Sequence, residues 1–136
     1  MSSEQNIQIV RQMYAAFTRG DVAAILSQLA PDVRWQVVAG EHLPWGKPRH
    51  SPQEVGSFFM ELSQHLDYQQ FEPLEYIAQR DRVVVVGRDR CVVRANGRVI
   101  EGTWVMLWTL QNGLVTTFDY FDNSAQMVAA LKGREV

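Results

Sequence analysis

Cysteine is almost missing from this sequence. The 136 residues hold one, Cys91, so no internal disulfide can form and the fold must rest on its core. Its surroundings, RDRCVVR, contain no second thiol and no histidine, which argues against a zinc site there. Histidine is also scarce. His42 and His50 lie in a proline-rich stretch and His65 stands apart, with no one-turn helical spacing and no carboxylate cluster, so neither a metal nor another cofactor is expected.

Long apolar runs are missing too. None approaches the ~20 residues that span a bilayer, and the start, MSSEQNIQIVRQ, has no signal-peptide core. The expectation is a soluble, cytoplasmic chain without a membrane partner. Positive charge is not in excess: 13 Lys and Arg face 15 Asp and Glu. Phosphate contacts need a concentrated basic surface, so nucleic acid is not an expected partner. Six arginines between Arg80 and Arg98 crowd one hairpin, but Asp81 and Asp89 interrupt them, as on a solvated strand face. There is no glycine-rich phosphate loop and no G-x-S-x-G elbow, which removes nucleotide and serine chemistry.

What is present reads as one domain, 1–136, with helices first and strands after. Ile7, Val10, Tyr14 and Phe17 recur at helical spacing within residues 4–19. Gly20 can close that helix, and Asp21 can cap a second one bearing Val22, Ile25, Leu26 and Leu29 and ending before Pro31. VRWQVV, 33–38, alternates as a strand. Residues 39–50 form a loop, and Ser51-Pro52-Gln53-Glu54 has the form of a capping box opening a third helix. Strand-like runs follow at 68–79, 82–95, 98–111 and 114–122, joined at Arg80-Asp81, Asn96-Gly97 and Asn112-Gly113; the two Asn-Gly pairs signal tight hairpins. A last helix, about 124–131, can take Asp122 as its cap. Helices followed by an antiparallel meander give an α+β class.

The segment TTFDYFD, 116–122, sets two carboxylates among three aromatic rings. Strand alternation puts Asp119 on one face with Thr117 and Phe121, and Asp122 on the other with Phe118 and Tyr120. With Asp122 assigned to the helix cap, Asp119 becomes the candidate for a pocket. An ion pair with an arginine such as Arg88 is the structural alternative for it.

The stretches YAAFTRGDVAAILSQLAPDVRW, HLPWG, SPQEVGSFF and LWTLQNGLVTTFDYFD together resemble the SnoaL-like, ketosteroid-isomerase-related proteins of the nuclear transport factor 2 superfamily. The resemblance implies a cone-shaped α+β barrel, N-terminal helices packed in the concave face of a curved, mainly antiparallel sheet, with a deep pocket at its open end. It also implies a homodimer through the outer sheet face. The apolar run Val105, Leu107 and Thr109 fits that face if Trp104, Met106 and Trp108 point inward.

Within that family Tyr14 matches the donor tyrosine of the steroid isomerases, but the base and second acid fall at Val37 and Met106, so that mechanism is not expected. An epoxide-hydrolase arrangement of acid, arginine and acid is matched only by Arg88 and Asp119. The cyclase-like arrangement needs one buried carboxyl in an apolar cavity. The expected site therefore has Asp119 as acid/base, Tyr14 or His42 steadying an oxyanion, and Trp35, Trp45, Arg88, Met106 and Trp108 around a small hydrophobic, ring-containing carbonyl ligand. The other reading is a noncatalytic binding or dimerisation module on the same fold.

Overall fold

The computed structural model describes residues 1–133. Ser2 opens helix α1 (Ser3–Thr18) with a full capping box: its hydroxyl accepts from the Gln5 N–H, and the Gln5 side chain accepts from the Ser2 N–H. The chain leaves α1 through Gly20, whose φ of +74° suits a residue without Cβ. Asp21 then caps α2 (Val22–Leu26) by accepting from the Ala24 N–H.

α2 is shorter than its apolar pattern suggests. Leu29 already belongs to strand β1 (Leu29–Val37), paired with Val115. Pro31 disfavours helix at Ala30, and both Leu29 and Ala30 are buried in the sheet instead. Ser51 caps α3 (Pro52–His65) as expected, but the reciprocal bond differs: the Glu54 carboxylate accepts from the His50 N–H.

Strands β2 (Leu66–Gln79), β3 (Arg82–Val93), β4 (Val99–Gln111) and β5 (Leu114–Phe121) form the antiparallel meander, and β1 joins β5 in parallel. The sheet order is β1-β5-β4-β3-β2. Helix α1 packs on β2 and β3, α3 on β1 and β2, and α4 (Ser124–Leu131) on β4. The Asn112-Gly113 turn is the expected two-residue hairpin, with φ of +52° and +80°. At Asn96-Gly97 only Gly97 is left-handed, within a wider loop closed by the Gly97 N–H donating to the Val93 carbonyl.

The cap of α4 corrects the sequence reading. Asn123, not Asp122, accepts from the Gln126 N–H. That frees Asp122 from the role that had removed it from the pocket.

One buried cation organises the loop between β1 and α3. Arg49 is 1% exposed. It donates to the carbonyls of Lys47 (3.0 Å), Trp45 (3.3 Å) and Glu54 (3.4 Å), and to the Glu61 carboxylate at 2.9 Å. Its backbone bridges Trp35. These bonds hold Trp45 against the core at the rim of the cone.

Candidate functional site

Between the helices and the concave sheet lies a narrow apolar hollow with a cavity volume of about 60 Å³. Its walls are mostly rings. Trp35 stacks on Phe118 with centroids 3.9 Å apart, and Trp108 meets Phe118 edge-on at 4.6 Å. These contacts follow from register: Trp108 lies opposite Phe118 on β4 and β5, and Trp35 opposite Phe118 on β1 and β5. Paired strand residues share a face.

Five of the expected residues meet here: Tyr14, Trp35, Trp45, Met106 and Trp108 all line the hollow. Tyr14 is the polar point of the α1 wall. Its hydroxyl donates to Met106 Sδ at 3.1 Å and accepts from Trp108 Nε1–H at 3.0 Å. Thioether sulfur is a weak acceptor, so a ligand oxygen can take that proton in its place. Burial pushes the Tyr14 phenol well above its ordinary range, with the Trp108 N–H pulling the other way. The phenol therefore stays a donor at any physiological pH.

Three expected residues lie elsewhere. Asp119 pairs with Arg34 on the outer sheet face, at 3.2 and 3.4 Å, and does not line the hollow. Arg88 is exposed and bonded to Glu72 at 3.3 Å. His42 is exposed in the loop after β1. The cause in each strand case is alternation: Asp119 lies opposite Leu107 on β4, whereas Met106 and Trp108 point inward.

The carboxyl in the hollow is Asp122. Burial raises its pKa, and the neighbouring Tyr120 hydroxyl opposes that rise. Its Oδ1 is sealed from water and has no hydrogen-bond partner. Behind it on β3 stands Asp89, pushed up to about 7 first by burial and then by the Asp122 charge. Tyr68 and Tyr120 are raised well above their ordinary range, mainly by burial. Cys91 is pushed up to about 12, by burial and then by the two aspartates, so its thiol is unreactive near neutrality. Asp89 and Asp122 also line a more polar side cavity with Thr103, Asn123 and Gln126. A carboxyl held in this way can exchange a proton near neutral pH.

The sequence did carry a signal for Asp89. Counting in twos from Val83 through Val85, Cys91 and Val93 puts it on the buried face of β3. The flanking Arg88 and Arg90 hid this, because they read as a solvated charge run.

The pair sets a pH dependence for stability. A carboxyl whose folded pKa is raised favours the folded state below its unfolded value and loses that advantage as pH rises through the folded value. For Asp89 the window runs from about 4 to about 7. Asp89→Asn is therefore expected to be more stable than the parent at pH 8, with the difference shrinking or reversing at pH 4. Urea unfolding at the two pH values measures it.

The family-model match to the SnoaL-like domain covers residues 10–118. This chain belongs to the SnoaL-like family. It is similar to an NTF2-like protein of unknown function from Burkholderia pseudomallei, at 33% identity over 96% of this chain and 98% of that one, with a TM-score of 0.86. TerC, co-crystallised with polyporic acid, is 25% identical over 94% of this chain and 98% of its own, with a TM-score of 0.83. Among curated proteins, an uncharacterised protein of Mycobacterium bovis is 27% identical over 89% of this chain and 91% of its length. The α+β cone is thus the NTF2-like fold. No helix among the described residues is long and apolar enough to cross a membrane, and these residues hold no group of three or more His, Cys, Asp or Glu placed to hold a metal ion.

Proposed function

We propose that this protein binds a hydrophobic, ring-containing carbonyl compound in the hollow and moves a proton on it, with Asp122 as the acid/base. The observation that carries this reading is Asp122 itself: a half-buried carboxyl, raised in pKa and with one sealed, unpartnered oxygen, among aromatic walls. The carbonyl follows from the donors. The Trp35 indole N–H is buried without a partner, and Tyr14 offers a proton now spent on sulfur. A ligand oxygen satisfies both kinds of donor, and stabilising charge on that oxygen is what enolisation needs. That TerC was crystallised with a small organic molecule agrees with the same use of the fold. Native mass spectrometry of the purified protein tests the reading: a retained neutral ring compound supports it, and loss of that mass in Trp35→Ala locates it.

The second reading, a binding module without chemistry, is favoured by one observation: the carboxyl at 119 is locked to Arg34. The two readings separate on whether a bound ring ketone exchanges its α-protons faster than it does in buffer.

A homodimer is part of the same proposal. The outer sheet face carries Ile77, Val84 and Leu107 in one cross-strand row and Val86, Val105 and Phe121 in the next. Ile77 is 52% and Phe121 42% exposed. A continuous apolar face of this kind is covered in a stable dimer. Sedimentation at micromolar concentration should give twice the 15.6 kDa chain mass; a monomer at that concentration rejects the dimer.

A further inference from the structure

We propose that the ring compound bound in the hollow carries a basic nitrogen, held as an ammonium against Asp122 among the aromatic rings. This rests on the ring-binding reading and adds a charge to its ligand. Among the described residues, no Lys, Arg or His lines the hollow. The arginines nearest in sequence to the site are turned outward and paired: Arg34 with Asp119, Arg88 with Glu72, Arg90 with Glu101. Arg49 is committed to Glu61 and three carbonyls. The polar groups on the wall are phenols, indoles and one carboxyl, so an anionic ligand finds no counter-charge there.

Cations are attracted to the faces of aromatic rings, and a ring-lined site recognises substituted ammonium groups by that means. Here such a wall stands beside a carboxyl whose Oδ1 lacks a partner. An ammonium N–H supplies the missing donor, and its charge compensates the ionised acid that burial otherwise disfavours.

Facing Asp122 are Tyr68 from β2, Asp89 and Cys91 from β3, and Tyr120 from β5. From α4, Gln126 and Met127 share the side cavity with Asp122, and neither titrates. The phenols and the thiol stay neutral below pH 8, so the two aspartates alone exchange protons there. Where Asp122 holds a proton, the entering ammonium turns the acid into a carboxylate and that proton passes to solvent. The polar side cavity, shared by both aspartates and lying off the ligand-filled hollow, gives that proton a route out.

The test is calorimetry with two probes of the same shape, 2-naphthylmethylamine and 2-naphthylmethanol, at pH 5 and pH 8 in buffers of different ionisation enthalpy. The amine is expected to bind about tenfold tighter than the alcohol at pH 8. Its affinity should fall towards pH 5, with up to one proton released per amine bound, while the alcohol shows neither effect. Asp122→Asn should remove the amine preference and keep the alcohol. Equal binding of the two probes at pH 8, or amine binding independent of pH, overturns the inference and leaves the ring-binding reading standing. If neither probe binds, both fail together. Should Asp122→Asn not fold, the slope and proton count of the parent protein decide alone.

Discussion

Asp122→Asn will slow α-proton exchange on a bound ring ketone by about 10²–10⁴-fold, the usual contribution of a positioned acid/base. Asp119→Asn will leave that rate within about threefold, since it removes only a partly exposed ion pair. The two residues are three apart in one strand end, and the contrast follows from the faces they occupy. Loss of deuterium from α-labelled 2-tetralone, followed by proton magnetic resonance, measures both variants against buffer. The parent rate should climb with pH as the acid pair ionises, because exchange begins with the carboxylate. An Asp119→Asn rate as low as that of Asp122→Asn would contradict the assignment.

Arg49→Met will destabilise the fold by about 1–3 kcal/mol, because it leaves carbonyls around the buried guanidinium without their donor. The guanidinium is almost fully enclosed. Its removal strips donors from three carbonyls and from Glu61 at once. Chemical denaturation reads the loss. Adding Glu61→Leu should recover part of it, because the unpaired carboxylate then goes too. The pH behaviour supplies a second check. The Arg49 hydrogen bond holds the Glu61 carboxyl below its ordinary value, with burial opposing. That contribution is present above the unfolded value near 4.5 and is lost as pH falls through the folded one. The variant should lack this acid-side component. Trp45, held through its carbonyl, should loosen with it and open the rim of the hollow.

Much of the architecture was legible because local chemistry and tertiary fold agree. Asp21 and Ser51 cap helices by the same carboxylate and hydroxyl geometry in any protein. Asn112-Gly113 takes left-handed angles wherever two strands meet so closely. The aromatic wall was legible for a similar reason: Trp35, Trp45 and Trp108 are too large and apolar to leave outside. Two assignments failed where local preference left a choice. Asp122 and Asn123 are both good caps, and the chain used the second. Asp89 sat between two arginines that masked the alternation of its strand.

The face chosen by Asp119 is the clearest division between the two levels. Counting back from the two-residue turn, Gln111 opposes Leu114 and Leu110 opposes Val115. A regular ladder would then set Met106 against Asp119 and turn that carboxyl inward. The sheet instead admits one extra residue, Thr116: Thr109 pairs with Thr117, and the Thr116 hydroxyl donates to the Thr109 carbonyl at 3.2 Å. This bulge moves every later side chain of β5 to the opposite face. Phe118 comes in against Trp35 and Trp108, Asp119 goes out to Arg34, and Asp122 enters the hollow. The sequence by itself determined most of the helices and strands, the Asn112-Gly113 turn and the ring-rich composition of the wall, because each depends on neighbours along the chain. Which aspartate faces the hollow was decided only in the tertiary structure, because a one-residue change of register is set by packing across three strands.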